Sequence, residues 1–574
     1  MNTLDYLRLA NTHSGAETSD ARKKFRVNLV TNFTDEIFQK LLKGLFLHNN
    51  IVPEIHAVPY KQYHLHLKDK HSTLHEQDRD MTFVFFDANA YRRSSFTEDA
   101  AHVREVLEDI QAFCGATTKP VVMMSFLTPY AGVYGNLFTE SPLFKILDNV
   151  NKELIRLSGE VQNFYVCDVN RLVHRIGEER VRDFRGLYAF DIPFTNDFLL
   201  AVAEEWLGYA RALMGTTKKC IVVDLDNTLW GGVVGEVGPT GIALGPEYPG
   251  LAFQNFQHAL LDFYRRGIIL AVSSKNNHSD VLEVFEQNPH MILKEGHFAA
   301  IKANWDDKAK NLIAIAEELN IGLESIVFLD DDPINRDLVR TMLPMVTVPD
   351  LPIQPEQYVP ALYALNVFHQ LSFTEEDLIK GKMYAEERKR KEVSYGAQSL
   401  EEYIAALGIK IRMEKNNKAI IPRLSQLTLK TNQFNLTTRR YSEKEIADML
   451  DGGALIYSGD ISDKFGDYGK TIMVIIQPKD HGEAHLDTLL MSCRVMGRGV
   501  EFAFLDAIVH DLLQSGINKL RATFVPTAKN KPAEDFLPSL GFAETGRIGD
   551  TVNYSINLTA LIAKEKDRSI IITQ

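Results

Sequence analysis

The chain has 574 residues, of which 45% are hydrophobic and 24% are charged, and this composition and length predict a globular protein of three or four domains. Its 63 Lys and Arg against 76 Asp and Glu give a formal charge of -13, without the basic excess typical of nucleic-acid-binding proteins. Four scattered cysteines cannot form a disulfide framework, which indicates a reducing cytoplasm. We expect neither a signal peptide nor a membrane partner, because no apolar run is long enough to span a bilayer.

Residues 1–216 are predicted to form an α/β domain. Strand-like apolar runs alternate with helical patterns such as Asp35–Leu47, which favours a parallel sheet covered by helices. The predicted strands are Arg26–Val30, Met81–Phe86, Pro120–Met124 and Phe164–Cys167. The polar turn Thr31–Thr34 after the first strand is typical either of a helix cap, the commoner use, or of an anion-binding helix start.

Residues 217–372 are predicted to form a second α/β domain. A helix over Asn196–Leu213 leads into the polar stretch Gly215–Lys219, which marks the boundary. The predicted strands are Cys220–Leu225, Ile268–Ser273 and Ile326–Leu329, and the predicted helices are Ala252–Arg265, Asp280–Gln287 and Lys308–Leu319. The repeated alternation again favours a parallel sheet.

Residues 373–574 are predicted to form a third domain of mixed strands and helices. The highly charged segment Thr374–Glu392 is predicted to be a solvated linking helix. The predicted strands are Ile409–Met413, Ala454–Tyr457, Lys470–Gln477, Lys519–Phe524 and Thr551–Leu558, and the predicted helices are Ser442–Leu450, Val500–Leu513 and Ala533–Leu540.

Two acids follow the apolar run Ile221–Val223. Asp224 and Asp226 are two positions apart, so on a strand they face the same way, and the carboxyl ends of parallel strands carry the reactive groups of α/β proteins. Such close carboxylates repel each other and need a cation or a protonated partner. A carboxylate can attack phosphorus, a second acid can move protons, and Mg²⁺ can offset the charge.

The chain supplies further groups in a useful order. A serine pair, Ser273 and Ser274, ends a predicted strand and precedes Asn276, so hydroxyl and amide groups suited to phosphate lie at this turn. Lys308 offers a cation on a later helix, and the acids Asp330–Asp332 follow another apolar strand. Each group alone is a weak signal, but the ordered set predicts phosphoryl transfer.

Over roughly residues 218–350 this arrangement resembles the haloacid dehalogenase (HAD) superfamily of phosphotransferases. The family's first motif, hhhDxDxT, matches Ile221–Thr228 in full. Ser274 is preferred to Ser273 for the second motif, and Lys308 is preferred to Lys302 for the third. The fourth motif, an acidic pair, matches Asp330 with Asp331 beside it.

The resemblance implies a role for each matched residue. Asp224 would be the nucleophile and Asp226 the general acid/base, with Ser274 and Lys308 completing the catalytic set. Mg²⁺ would be held by Asp224, Asp226 (through its backbone carbonyl), Asp330 and Asp331, and phosphate would contact Thr228 and Asn276. The short gap between Thr228 and the helix at Ala252 leaves no room for a large cap, so we expect neighbouring domains to control access.

A longer pattern resembles the FkbH-like family over nearly the whole chain. It consists of Asp224–Glu236, Ser274–Asn277 and Lys430–Thr437. Members of this family are associated with loading a glyceryl unit from 1,3-bisphosphoglycerate onto an acyl carrier protein, with loss of phosphate, or with surface-polysaccharide and lipid pathways. The N-terminal domain of such proteins resembles flavodoxin-like SGNH hydrolases, but this sequence has no Gly-Asp-Ser motif there.

The segment Cys493–Gly499 is a glycine-containing turn before a predicted helix. Such a turn can cradle an anion, and it resembles the pyrophosphate loop of GNAT acyltransferases, with support from the later run Asn530–Phe542. The resemblance implies a GNAT-like α+β domain that binds coenzyme A or a phosphopantetheine arm. The implied ligand contacts are Arg494, Gly497, Gly499 and Asn530. A GNAT-like fold without acyl transfer is the alternative.

An acyl-loading reaction would also need a thiol. The candidates are Cys493, near a helix start that would lower its pKa, and Cys220, although an ordinary buried cysteine is the commoner case.

Together these features predict a three-domain enzyme. We expect a Mg²⁺-dependent phosphatase acting on a small phosphorylated metabolite, coupled in one hypothesis to acyl loading of a carrier protein. The alternative is a non-catalytic scaffold or carrier-docking protein.

Overall fold

The computed structural model describes residues 2–12, 23–76, 78–88, 96–128, 134–374, 400–562 and 570–573. These residues form three β-sheets in two compact units. The first unit comprises Met1–Arg211 and Tyr441–Ile446, and the second comprises Ala212–Arg440 and Ala447–Gln574. The protein is therefore a multidomain α/β protein, as the sequence predicts.

The first unit is built on a five-stranded parallel sheet of order β2-β1-β3-β4-β5. This is the order of flavodoxin-like doubly wound folds. The strands are β1 Lys23–Thr31, β2 Ile51–Ala57, β3 Met81–Phe85, β4 Val121–Met124 and β5 Phe164–Cys167. The helices are α1 Thr3–Thr12, α2 Glu36–His48, α3 Tyr63–Lys68, α4 Phe96–Ala116, α5 Pro142–Glu160, α6 Val169–Ile176, α7 Phe184–Phe190 and α8 Asn196–Leu213.

Two side chains of the polar turn after β1, Thr31 and Asn32, form hydrogen bonds within the fold. The Thr31 hydroxyl donates to Asp35 Oδ2 at 2.9 Å. The Asn32 side chain donates to the carbonyl of Asp87 at 2.9 Å and accepts from its N–H at 2.7 Å. Both side chains therefore stabilise the fold here.

The second unit begins with a four-stranded parallel sheet of order β8-β7-β6-β9. Its strands are β6 Cys220–Val223, β7 Ile269–Ser274, β8 Phe298–Ala303 and β9 Ile326–Leu329. Its helices are α9 Val234–Val237, α10 Gly250–Arg265, α11 His278–Gln287, α12 Lys308–Leu319, α13 Pro333–Met342 and α14 Tyr358–Tyr363.

Alternate residues of each central strand enter different cores. Ile221 and Val223 join the core under α10 and α11, whereas Cys220 and Val222 join the core under α12 and α13. From β6 the chain adds β7 and then β8 on one side of β6, and β9 then pairs with the other side of β6. Ligands of open α/β sheets bind at such a switch point, outside the carboxyl ends of the strands. In the described stretch 213–374 the connection from β6 to α10 contains turns, isolated bridges such as Gly231 with Ala243, and the four-residue α9 as its one helix.

The C-terminal part of the second unit contains a nine-stranded sheet of order β16-β17-β15-β14-β13-β12-β10-β18, with β11 paired to β14. Its strands are β10 Lys410–Lys415, β11 Phe434–Asn435, β12 Leu455–Asp463, β13 Gly466–Pro478, β14 Glu483–Met491, β15 Lys519–Phe524, β16 Ala543–Ile548, β17 Thr551–Asn557 and β18 Ile571–Thr573. Its helices are α15 Leu400–Leu407, α16 Ile421–Lys430, α17 Glu443–Asp451, α18 Val500–Gln514, α19 Phe536–Leu540 and α20 Leu558–Ile562.

Strands β14 and β15 pair only over part of their length. They are parallel from Glu483 to Leu486, and beyond that point β11 pairs with the end of β14. Leu436 donates to Leu489 O at 3.1 Å and accepts from the N–H of Val525 at 2.9 Å. The segment Phe434–Leu436 therefore fills the gap between the two diverging strands.

The predicted elements agree with the observed ones in most places, with clear exceptions. The sequence does not predict the strands β2, β8, β11, β14, β16 and β18. Proline, glycine or charged residues interrupt the apolar pattern of β2, β8, β14 and β16, and β11 and β18 are only two and three residues long. The predicted helix Ala533–Leu540 is a short 3₁₀ turn followed by α19. The predicted linker Thr374–Glu392 lies outside the described residues, apart from Thr374. Among the described helices, none is both long and apolar enough to cross a membrane.

Candidate active site

A tight turn after β6 carries the first predicted motif. The carbonyl of Leu225 accepts hydrogen bonds from the N–H groups of Thr228 and Leu229, at 3.1 and 2.8 Å. Asn227 adopts a left-handed conformation with φ of 55°, and its side chain accepts from the N–H of Gly232 at 2.8 Å. Asparagine tolerates this backbone conformation better than most residues. The turn thus sets Asp224 and Asp226 at the edge of the sheet.

Lys308 is the centre of a buried charge cluster. Its Nζ lies 2.7 Å from Asp224 Oδ1 and 3.2 Å from Asp330 Oδ2, and it donates to the carbonyl of Ser273 at 2.7 Å. Its side chain is only 1% exposed. Asp224 follows β6 and Asp330 follows β9, so neighbouring strands bring these two acids together. The structure therefore places the predicted nucleophile against the predicted lysine.

The acids of the fourth motif are held close to their like-charged neighbour. Burial, followed by repulsion from Asp224, raises the pKa of Asp330. The same two causes, with Asp330 as a third, raise the pKa of Asp331 to about 6. Thr228 donates its hydroxyl hydrogen to Asp331 Oδ1 and accepts from the Asp331 N–H, both at 3.2 Å. The Thr228 hydroxyl thus orients Asp331.

Asp226 is held by a separate set of donors. Its Oδ1 accepts from the Trp230 indole at 2.9 Å and from the N–H of Val234 at 3.1 Å. Its Oδ2 accepts from the Asn276 amide at 3.0 Å, and that amide also donates to Ser274 Oγ at 3.1 Å. The Asn276 side chain, which we predicted to contact phosphate, therefore holds the predicted general acid/base.

The structure distinguishes the alternatives that the sequence left open. Ser274 shares its hydroxyl with the Asn276 network, whereas Ser273 offers Lys308 its backbone carbonyl. Lys302 instead forms an ion pair with Glu318, with 2.6 Å between Nζ and Oε2. Lys308, and not Lys302, therefore lies between the acids.

Sequence reasoning missed several residues that build the site. Arg336 is buried and donates to the carbonyls of Asp330 and Asp331, at 2.8 and 2.7 Å. Tyr358 donates to the carbonyl of Asn227 at 3.0 Å. Arg336 belongs to none of the four motifs, and Tyr358 is 131 residues away from Asn227 in the chain. The sequence therefore gave no indication that either residue contributes to the site.

Three carboxylates offer a place for a metal ion. One oxygen each from Asp224, Asp330 and Asp331 lies within 4.8 Å of the others, and no second such group occurs among the described residues. All donors are hard oxygens, the type that Mg²⁺ prefers, and a single lysine leaves the cluster with excess negative charge. The residues fit a divalent cation. The Asp226 side chain is not in this group, which leaves only its backbone carbonyl for the predicted role.

The residues predicted to contact a ligand in the C-terminal domain differ in their availability. Gly497 and Gly499 both have φ of 74°, and Gly499 precedes α18 as expected for a glycine turn. Asn530 is fully buried, and its amide donates to the carbonyls of Asn435 and Val525, both at 2.9 Å. Its side chain therefore fixes the fold and is not available to a ligand here.

The two candidate thiols differ in exposure. Cys220 is completely buried in the core under α12, and burial raises the pKa of its thiol. Cys493 is the only one of the four cysteines that is not buried. The structure thus leaves Cys493 as the accessible candidate and removes Cys220.

Comparison with known proteins finds relatives of the N-terminal domain and of the phosphatase-like part of the chain. Residues 26–208 match the family described as FkbH, N-terminal domain. The N-terminal part of BF1531 from Bacteroides fragilis, a crystal structure containing a phosphatase domain complexed with Mg, is 30% identical with a TM-score of 0.60. The match covers 65% of this chain and all of that one. No curated protein matches the chain.

Acetyltransferase structures match a smaller part. The ribosomal-protein-S18-alanine N-acetyltransferase from Escherichia coli is 16% identical over 26% of this chain and 94% of its own, with a TM-score of 0.21. The PaiA N-acetyltransferase from Thermoplasma acidophilum, in complex with coenzyme A, is 12% identical over 26% and 98%, also at 0.21.

Proposed function

Since this chain belongs to the same family as the phosphatase-domain protein BF1531 and has an FkbH-type N-terminal domain, we propose that it is a Mg²⁺-dependent HAD-type phosphatase. Its substrate is a small phosphorylated metabolite. The observation that carries the proposal is the placement of Lys308 between Asp224 and Asp330, with Asp331 adjacent, at the switch point of the sheet.

The chain's own residues support a two-step reaction. Asp224 attacks phosphorus and forms an aspartyl-phosphate, while Asp226 gives a proton to the departing oxygen. Asp226 then takes a proton from water, whose oxygen attacks the phosphorus, so that inorganic phosphate leaves and the Asp224 carboxylate returns. Lys308 offsets the charge of Asp224 during attack.

Asp224, Asp330 and Asp331 would hold the metal, together with the backbone carbonyl of Asp226. Mg²⁺, when bound, offsets the charge of the phosphoryl oxygens and of the carboxylates. Trp230 and Asn276 hold the Asp226 carboxylate, which is not one of the three clustered carboxylates, so this group is kept for proton transfer.

A phosphatase screen with and without Mg²⁺ tests the proposal. We expect release of phosphate from at least one phosphate monoester or acyl phosphate, and loss of this release when Mg²⁺ is removed with EDTA. Absence of release from every compound tested would favour the alternative, a scaffold or carrier-docking protein.

We further propose that phosphate removal is coupled to acyl loading of a carrier protein through coenzyme A or a phosphopantetheine arm. The accessible thiol of Cys493, beside Arg494 and the glycine turn before α18, favours this coupling. Mass spectrometry of an acyl carrier protein incubated with the chain, Mg²⁺ and 1,3-bisphosphoglycerate should show a glyceryl mass shift. An unchanged carrier mass would leave phosphatase action alone.

The metal site should respond to pH in a defined direction. Mg²⁺ competes with the proton on Asp331, whose pKa is about 6, so Mg²⁺ binding should strengthen as pH rises through 6. Isothermal titration should give an affinity about ten-fold higher at pH 7 than at pH 5. Because the folded pKa is raised, the metal-free protein should also lose stability as the pH rises towards 6.

The Asp331→Asn variant is the control for this pH effect. It should bind Mg²⁺ more weakly at pH 7 and lose most of the difference between pH 5 and pH 7. If wild-type affinity were the same at both pH values, Asp331 would not be a metal ligand.

A further inference from the structure

Arg336 lies on the first turns of α13, directly after the fourth motif. The side chain of Asp332 caps this helix by accepting a backbone hydrogen bond at 2.9 Å, and Pro333 takes the first helical position. Proline suits that position because its backbone is already set for a helix and needs no donor there. This helix start turns Arg336 back onto Asp330 and Asp331, which precede it by six and five residues.

The guanidinium of Arg336 binds backbone carbonyls rather than carboxylates. Its Nη1 donates to the carbonyl of Asp330 at 2.8 Å and to that of Asp331 at 2.7 Å, and the residue is only 8% exposed. Within the described part of the chain its one ion pair is a long contact, 3.7 Å from Nε to Asp350 Oδ1. A buried charge is costly unless it is hydrogen-bonded, so the two carbonyls keep Arg336 inside the fold.

These hydrogen bonds hold the backbone of Asp331 from two directions. The N–H of Asp331 donates to the Thr228 hydroxyl oxygen at 3.2 Å, and its carbonyl accepts from Arg336. The Thr228 hydroxyl also donates to Asp331 Oδ1 at 3.2 Å. Thr228 belongs to the turn after β6 and Arg336 to α13, so two different elements fix the peptide groups on either side of this acid.

The start of α13 also fixes the carboxylate of Asp330. Its Oδ1 accepts from the N–H of Asp332 at 2.9 Å and from the Asn335 amide at 3.3 Å. Its Oδ2 lies 3.2 Å from Lys308 Nζ, and its carbonyl accepts from Arg336. Asp330 is therefore held through both carboxylate oxygens and through its backbone.

We propose that Arg336 is a positioning residue of the metal site, which holds the backbone of Asp330 and Asp331 so that their carboxylates converge on a divalent cation. The inference rests on the proposed Mg²⁺ site and assigns to that site a residue outside the four motifs. Mg²⁺ demands a near-ideal octahedral arrangement, whereas Ca²⁺ accepts a flexible one. A fixed backbone behind two of the three carboxylates thus favours the smaller ion.

A role of Arg336 through its charge alone would have opposite consequences. A cation near the carboxylates repels a metal ion, so a neutral side chain at this position would strengthen Mg²⁺ binding. A lysine would then behave as the arginine does. Positioning predicts weaker binding for both substitutions, because glutamine is too short to reach both carbonyls and the lysine nitrogen is one bond closer to the backbone than Nη1.

Isothermal titration of the full chain, stripped of metal with EDTA and dialysed, tests the proposal with Mg²⁺ and, separately, with Ca²⁺. We expect Arg336→Gln to weaken Mg²⁺ binding by about ten-fold or more, the usual effect of removing a group that orients metal ligands. Arg336→Lys should weaken it by a smaller factor. In both variants the Ca²⁺ affinity should fall less than the Mg²⁺ affinity, because Ca²⁺ tolerates displaced ligands.

Arg340→Gln is the matched control on the same helix. Arg340 lies one turn after Arg336, donates to the carbonyl of Val348 at 2.9 Å and pairs with Asp337 and Asp350. Its loss should leave the affinities for both ions unchanged. Melting temperatures in metal-free buffer identify any variant that fails to fold, and either Arg336 variant suffices.

Tighter or unchanged Mg²⁺ binding by a folded Arg336→Gln variant would overturn the positioning role. An equal loss of Mg²⁺ and Ca²⁺ affinity would also overturn it, because a general loosening of the fold affects both ions alike. Absence of Mg²⁺ binding by the wild type has a different meaning, since it would overturn the proposed metal site itself and this inference with it.

Discussion

Asp224→Asn should lose phosphate release by at least about 1,000-fold while keeping its fold. The neutral amide cannot form the aspartyl-phosphate on which both steps depend. The fold should survive because the substitution is isosteric. The substitution also removes one of three carboxylates that repel each other. Repulsion from Asp224 is one of the causes that raise the pKa of Asp330 and Asp331. Steady-state phosphate release and the melting temperature measure the two effects.

The role of Asp224 can also be tested without a substrate, so this test does not depend on the phosphatase screen. Beryllium fluoride mimics a phosphoryl group on a carboxylate, so with Mg²⁺ it should raise the melting temperature of the wild type and not of Asp224→Asn. Asp306→Asn is the matched control, since this exposed aspartate takes the same substitution close to Lys308. Normal phosphate release by Asp224→Asn would show that another group attacks phosphorus.

Lys308→Met should be strongly destabilised when metal is absent. The substitution leaves Asp224 and Asp330 facing each other without their shared cation, in a place where Lys308 is 1% exposed and Asp330 is fully buried. Breaking such a buried arrangement costs about 3 kcal/mol or more. Mg²⁺ should recover part of this loss, because it offsets the same carboxylates. Thermal and urea unfolding with and without Mg²⁺ measure the change.

Lys302→Met is the matched control for this variant. Lys302 belongs to a partly exposed ion pair with Glu318, whose side chains are 29% and 25% exposed, so its loss should cost far less than that of Lys308, about 1 kcal/mol, and should not respond to Mg²⁺. If Lys308→Met were as stable as Lys302→Met in metal-free buffer, the buried cluster would not depend on the lysine charge. Loss of activity in Lys308→Met alone would not distinguish these cases, so stability is the deciding measurement.

The sequence by itself determined the class of fold and the order of the acids, lysine and serines. These depend on local patterns, since apolar runs form strands and polar residues directly after them must lie at the sheet edge. The helix Lys308–Leu319 and the strand Ile326–Leu329 are predicted with their observed bounds for this reason. Strands with broken patterns, such as β8, were missed because their burial depends on neighbours far away in the chain.

Only the tertiary structure decided how these groups are used. It placed Lys308 rather than Lys302 between the acids, turned the Asp226 carboxylate towards Trp230 and Asn276, and committed Asn530 to the fold. It also formed a cavity in the second unit from segments that are distant in the chain, such as those at Lys219, Arg423 and Cys493. Such contacts arise when distant elements pack, and a side chain's partners are fixed by that packing rather than by its neighbours in sequence.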